Sequence, residues 1–114
     1  MNSTEILARL ISFDTTSANS NLELMNFIGK YLSQHNVKSQ LIFNDDKSKA
    51  NLYASIGSEA VLQRPGILLS GHTDTVPVSG QNWTRPAYQL TEEDGRLYGR
   101  GTTDMKGFIA CVLA

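Results

Sequence analysis

The sequence predicts an α/β fold, one domain over residues 1–114 in which helices pack on the faces of a β-sheet. Three observations lead there. An apolar stripe of helical period runs from Leu24 to Leu32, an alternating pattern from Val37 to Phe43 replaces it, and a short wholly apolar run, Ile67-Leu68-Leu69, follows a Pro-Gly break. Helix and strand signals that succeed one another in a single chain are what a layered α/β architecture requires. With 114 residues, 40% of them hydrophobic, the chain can build one compact core and is too short for two.

The elements follow in order. Asn2 is placed to cap a first short helix, in which Ile6, Leu7 and Leu10 share a face with Ile11 and which closes near Phe13 to Thr16. After a polar loop, Ser20 and Glu23 have the Ser-x-x-Glu spacing of a capping box. The second helix they predict carries Leu24, Phe27, Ile28, Tyr31 and Leu32 on one face and ends near His35-Asn36. Val37, Ser39, Leu41 and Phe43 then alternate with Lys38 and Gln40 as a half-buried strand, closed by the turn-rich Asn44-Asp45-Asp46. Asn51 to Ile56 reads as a second strand. Ile67-Leu68-Leu69 suits a central strand buried on both faces, and its end delivers Gly71-His72-Thr73-Asp74. A long loop through Trp83 leads to Tyr88–Glu92, and Glu93-Asp94-Gly95 turns the chain into Arg96-Leu97-Tyr98 as a hairpin. The last segment, Met105 to Ala114, reads as a helix that stops without a Gly, Asn or basic cap, so the domain is expected to be truncated.

Composition excludes several classes of function. Ten basic residues against eleven acidic ones give a net charge of -1, with no basic face to bind nucleic acid. No apolar stretch approaches the roughly 20 residues that cross a bilayer, so no membrane partner is expected. A lone cysteine, Cys111, cannot form an internal disulfide, and the N-terminus lacks a signal-peptide layout. These features predict a soluble cytoplasmic protein. Cys111, among Phe108, Val112 and Leu113, is assigned to the core.

Two clusters carry candidate chemistry. His72 and Asp74 sit two apart just beyond the apolar run, where open α/β sheets place ligand sites. An imidazole that ligates a metal through one nitrogen gives its other N–H to a carboxylate or carbonyl, and Asp74 is the natural partner. The alternative is a strand-end histidine bonded to a loop. The second cluster is Gly99-Arg100-Gly101-Thr102-Thr103-Asp104-Met105-Lys106-Gly107. Its glycines permit close backbone approach, and Asp104 falls at the first turn of the last helix, where the helix dipole favours a negative charge. An ordinary helix cap is the competing reading. The stretch matches neither phosphate-loop pattern, so a nucleotide site is not expected. Lys106 is either a surface lysine or an internal partner for a carboxylate. His35 is explained by the end of the second helix, and Trp83 and Tyr88 by packing under the long loop.

Taken together, Gly71-His72-Thr73-Asp74-Thr75-Val76-Pro77, Trp83-Thr84 and Leu97-Tyr98-Gly99-Arg100-Gly101-Thr102-Thr103-Asp104-Met105-Lys106-Gly107 resemble the M20 family of metallopeptidases and amidohydrolases. The resemblance implies part of a zinc-hydrolase catalytic domain with a mixed sheet flanked by helices. It implies that His72 ligates one metal, that Asp104 bridges two, and that Asp74 orients His72. It also implies that the metals activate a water which attacks the amide of an N-acyl amino acid, with N2-acetylornithine the expected substrate. Zinc suits the mixed nitrogen and oxygen donors, and cobalt is accepted by such sites. The family's remaining ligands, its catalytic glutamate and the smaller inserted domain that forms a homodimer would lie beyond Ala114. Glu92-Glu93 precedes Asp104 and does not take the catalytic role. Pro86 stands one place early relative to the family's Pro-Phe pair, where this chain has Ala87-Tyr88. An inactive fragment with at most weak metal binding is the non-enzymatic alternative.

Overall fold

Asn2 starts the first helix through a reciprocal pair of hydrogen bonds. Its side chain accepts from the Glu5 N–H at 2.9 Å, and the Glu5 carboxylate accepts from the Asn2 N–H at 2.8 Å. In the computed structural model, which describes residues 1–114, this helix is α1, Ser3–Ile11. The expected Asn2 cap is present, and Glu5 extends it to a full capping box. Ile6, Leu7, Leu10 and Ile11 are all buried, as the periodicity required. Burial of each contributes roughly 1.5–3 kcal/mol.

By packing, the residues form two units: Met1–Asn19 together with Gly71–Ala114, and Ser20–Ser70. In the second unit, α2 (Leu22–Gln34) packs on an antiparallel pair, β1 (Ser39–Phe43) and β2 (Ala50–Ala54), with Leu41 opposite Leu52. Leu24, Met25, Ile28, Tyr31 and Leu32 form its buried stripe, while Phe27 is only half-buried. The Ser20–Glu23 capping box does not form. Ser20 Oγ instead donates to the Ser48 carbonyl at 2.6 Å, and Asn21 occupies the cap position. The Asn21 amide pairs with both backbone groups of Ala50, donating to its carbonyl at 2.9 Å and accepting from its N–H at 3.0 Å. The Ser20 hydroxyl still accepts from the Leu22 N–H at 3.2 Å, so one local bond at the helix start remains beside these pairings. β1 is more exposed than its alternation predicted, with Ile42 at 53% and Phe43 at 47%. A short helix, α3 (Glu59–Leu62), which no pattern announced, follows Ser58.

Ile67-Leu68-Leu69 departs furthest from expectation. The run forms no strand and is 91%, 79% and 58% exposed. A central strand is buried only when strands flank it and helices cover it. None of the four strands pairs with this run. For the same reason the expected mixed sheet is replaced by two separate antiparallel pairs. The α/β class itself holds, with helices and two small sheets in one chain.

In the first unit, β3 (Thr91–Glu93) and β4 (Arg96–Tyr98) form the predicted hairpin. Its two-residue turn, Asp94-Gly95, has φ of 50° and 71°. Positive φ at both positions matches the right-handed twist of the flanking strands. Arg85 pairs with Glu93 and lies over the Tyr98 ring at 4.2 Å. Helix α4 (Gly107–Leu113) packs on α1. It begins later than predicted, because Thr102–Lys106 form a wide turn in which Asp104 and Met105 have non-helical backbone angles and the peptide between them is cis. Asp104 therefore precedes the helix rather than occupying its first turn. Only Ala110 of α4 is fully buried. Cys111 is exposed, which corrects its assignment to the core. No helix is long and apolar enough to cross a membrane.

Candidate metal centre

Two segments distant in sequence meet here because each is tied to the end of α1. The chain after α1 runs beside Thr73–Thr75 as a short parallel bridge, with Thr75 N–H donating to the Thr15 carbonyl at 3.0 Å and Ser17 N–H to the Thr75 carbonyl at 3.1 Å. The Thr15 hydroxyl adds a bond to the Thr73 carbonyl at 2.6 Å. Thr15, Thr73 and Thr75 are all buried, so these bonds are shielded from competition by water.

The turn that carries Asp104 is anchored by Lys106, which is wholly buried. Its ammonium donates to the carbonyls of Leu10 at 2.9 Å and Phe13 at 2.8 Å. These lie at and just past the last turn of α1, where carbonyls lack helical partners and the dipole favours a cation. Burial pushes its pKa down to about 8, against a smaller upward pull from Asp14. Lys106 is therefore internal, as one of its two readings had it, with backbone carbonyls as its partners.

Glycines set the approach of the two segments. A Cβ on Gly71 would lie 3.0 Å from Met105 Cε, and the His72 N–H donates to the Met105 sulfur at 3.2 Å. Gly101, at φ 89°, leaves room for Thr75 and for the stem of Lys106.

These constraints place the imidazole of His72 between two aspartates. Nδ1 lies 3.0 Å from the Asp74 carbonyl and 3.2 Å from its carboxylate, while Nε2 lies 2.9 Å from Asp104 Oδ1. The Ser17 hydroxyl donates to the other carboxylate oxygen of Asp74 at 2.7 Å. A neutral imidazole has a single N–H, and two acceptors claim it at Nδ1. With the proton on Nδ1, Nε2 turns its lone pair toward Asp104, and two lone pairs share that gap only with a proton or a cation between them. Burial pulls the His72 pKa down, but hydrogen bonds to the Asp74 carbonyl and to Asp104, with both carboxylate charges, raise it overall. The Ser17 hydroxyl, opposed by burial and aided to a lesser degree by the His72 charge, holds Asp74 below the usual carboxylate range.

Both groups border an open cavity of about 140 Å³, lined by Ser17, His72, Asp74, Thr75, Val76, Arg100 and Asp104. The side chain of Asp104 is 83% exposed there, so it is free to take up a ligand. One imidazole nitrogen and one carboxylate oxygen converging on a point accessible to solvent fit part of a zinc or cobalt site. They are not a complete one. No cluster of three or more His, Cys, Asp or Glu side chains with metal-binding geometry is present. The structure thus brings together the three residues singled out from sequence. It adds Ser17, one hydroxyl among several in a polar loop for which no residue pattern gave a signal, and Arg100, which lay within the Gly99–Gly107 cluster without an assigned role. Arg100 is fixed over the Trp83 ring at 5.1 Å and bonds to Gln81. Glu92 and Glu93 lie on β3, outside the cavity.

Comparison with known proteins gives this geometry a context. Residues 68–114, which contain His72, Asp74 and Asp104, match Peptidase family M20/M25/M40. The similarity to individual proteins runs over nearly the whole chain. It is 39% identical over 112 residues to a probable succinyl-diaminopimelate desuccinylase of Staphylococcus aureus (strain MRSA252), covering 96% of this chain and 26% of that protein. It is 42% identical over 117 aligned positions to an acetylornithine deacetylase of Shigella sonnei (strain Ss046), covering 96% of this chain and 29% of that protein. The chain therefore spans about a quarter of the length of the curated relatives it matches.

Proposed function

We propose that this chain is the part of a metal-dependent amidohydrolase that supplies His72 and Asp104 as metal ligands and Asp74 as the residue orienting His72. The observation that carries this reading is the 2.9 Å approach of His72 Nε2 to Asp104 Oδ1, which brings one imidazole nitrogen and one carboxylate oxygen to a single point beside the cavity. The whole protein acts on N-acyl amino acids, with N2-acetylornithine, cleaved to ornithine and acetate, as the first substrate to test. The relatives named as a deacetylase and as desuccinylases support an acyl amide as the bond cleaved. They leave acetyl and succinyl groups as the two alternatives. Zinc, or cobalt in its place, would supply polarisation of the amide carbonyl and a more acidic bound water. The residues of this chain offer acceptors to His72 Nδ1, aim Nε2 and the Asp104 carboxylate at one point, and wall the cavity with Thr75, Val76 and Arg100. A cytoplasmic location and assembly of the whole protein as a homodimer belong to the same reading, the first supported by the single cysteine and the second by the family resemblance.

No carboxylate free to act as general base lines the cavity beyond Asp74 and Asp104 themselves, so the 114-residue chain alone is expected to show no hydrolysis. Calorimetric titration with zinc tests the ligand assignment: binding by the wild-type chain that is lost in both His72→Ala and Asp104→Ala supports it. Binding unchanged in either variant overturns it. For the substrate, the longest protein encoded around this sequence is assayed on N2-acetylornithine and on N-succinyl-diaminopimelate, and cleavage of neither rejects the proposed activity.

A further inference from the structure

We infer that Ser17 is a positioning residue of the metal centre, acting on His72 through Asp74. The inference rests on the reading of His72 as a metal ligand and extends it to a segment that no sequence pattern marked. The geometry is a relay of three contacts: Ser17 Oγ donates to Asp74 Oδ2 at 2.7 Å, Asp74 Oδ1 lies 3.2 Å from His72 Nδ1, and His72 Nε2 faces Asp104 at 2.9 Å. An aspartate has two χ angles, and its carboxylate is 57% exposed here, so the His72 contact alone does not fix its rotation. The Ser17 hydroxyl fixes it by holding the second oxygen. Ser17 is itself placed by backbone bonding, since its N–H donates to the Thr75 carbonyl within the parallel bridge. Removal of the hydroxyl frees the carboxylate and gives up a long 3.5 Å bond from Oγ to the Thr75 carbonyl, while the 3.1 Å backbone bond to that carbonyl still holds the segment. Partners that orient a ligating histidine change metal affinity by about 10–100-fold. Ser17 stands one contact further away, and a smaller effect is expected.

The test uses the whole chain in two measurements. The first is zinc affinity by calorimetry for wild type, Ser17→Ala, Ser17→Thr, Asp74→Ala and the Ser17→Ala/Asp74→Ala double variant. Ser17→Ala is expected to weaken binding roughly three- to tenfold, Ser17→Thr to restore it, and Ser17→Ala to have no further effect once Asp74 is absent. The second is the NMR signal of the His72 Nδ1 proton in the metal-free protein, expected to be sharp in wild type and Ser17→Thr and broadened by exchange in Ser17→Ala. Unchanged affinity together with an unchanged ring-proton signal in Ser17→Ala overturns the role of Ser17, as does an effect of Ser17→Ala that persists undiminished without Asp74. If wild type binds no zinc but Ser17→Ala still broadens the proton signal, the positioning role stands and the ligand assignment falls.

Discussion

His72 Nε2 and Asp104 Oδ1 lie 2.9 Å apart although 32 positions separate the two residues in sequence. The contact exists because the His72 segment is bridged to the chain after α1, while the Asp104 turn is bonded to the end of α1 through Lys106. Asp74 completes it by occupying Nδ1.

Substitution of Asp74 by alanine is therefore expected to lower zinc affinity by about 10–100-fold without unfolding the chain, because it removes a partner of the ligand rather than a ligand. Calorimetry compared with circular dichroism checks both halves of that statement. An affinity equal to wild type would remove Asp74 from the site.

Lys106 is predicted to be a structural cation. Lys106→Met keeps the apolar stem but removes the ammonium that donates to the Leu10 and Phe13 carbonyls. Loss of bonds to a charged donor outweighs relief of the buried charge, and stability is expected to fall by about 2 kcal/mol. Urea unfolding at neutral pH measures this, and a variant at least as stable as wild type would contradict it.

Gly107 is predicted to tolerate no side chain. Its backbone is ordinary helix, with φ -61°, but a Cβ there would collide with the Thr102 carbonyl. That oxygen belongs to the backbone of the turn carrying Asp104 and cannot swing aside. Gly107→Ala is expected to cost about 1–3 kcal/mol and to weaken zinc binding with it, as read by thermal unfolding and titration.

Acid should weaken the bridge that positions His72. The Thr16 hydroxyl and N–H both donate to Asp14 and hold its pKa below the usual carboxylate value. A carboxylate whose folded pKa is depressed stabilises the fold above its unfolded pKa and loses that contribution as pH falls through the folded one. In Asp14→Asn the amide oxygen still accepts these bonds but does not ionise. Its stability is expected to be less dependent on pH below about 4 than that of wild type. Chemical denaturation across the acid range gives the comparison, and parallel pH profiles would refute the assignment.

Sequence alone determined whatever is decided within one element. The buried face of α1, the stripe of α2 and the Asp94-Gly95 hairpin follow from side-chain period and backbone preference, which act over a few residues. His72, Asp74 and Asp104 were also visible, since their spacing and glycine context are local properties of the chain. Tertiary structure decided what depends on partners far along it. Ser20 abandoned a good capping pattern because Ser48 offered its carbonyl, and Asn21 turned to Ala50. Ile67-Leu68-Leu69 stayed exposed because an apolar run becomes a central strand only when other strands lie on both edges. Lys106 became internal because the end of α1 presents it with the Leu10 and Phe13 carbonyls, and Ser17 reached Asp74 through a bridge between segments 58 residues apart. Period and propensity carry no information about such distant partners, because the energy of each contact exists only after the chain has brought both groups to the same place.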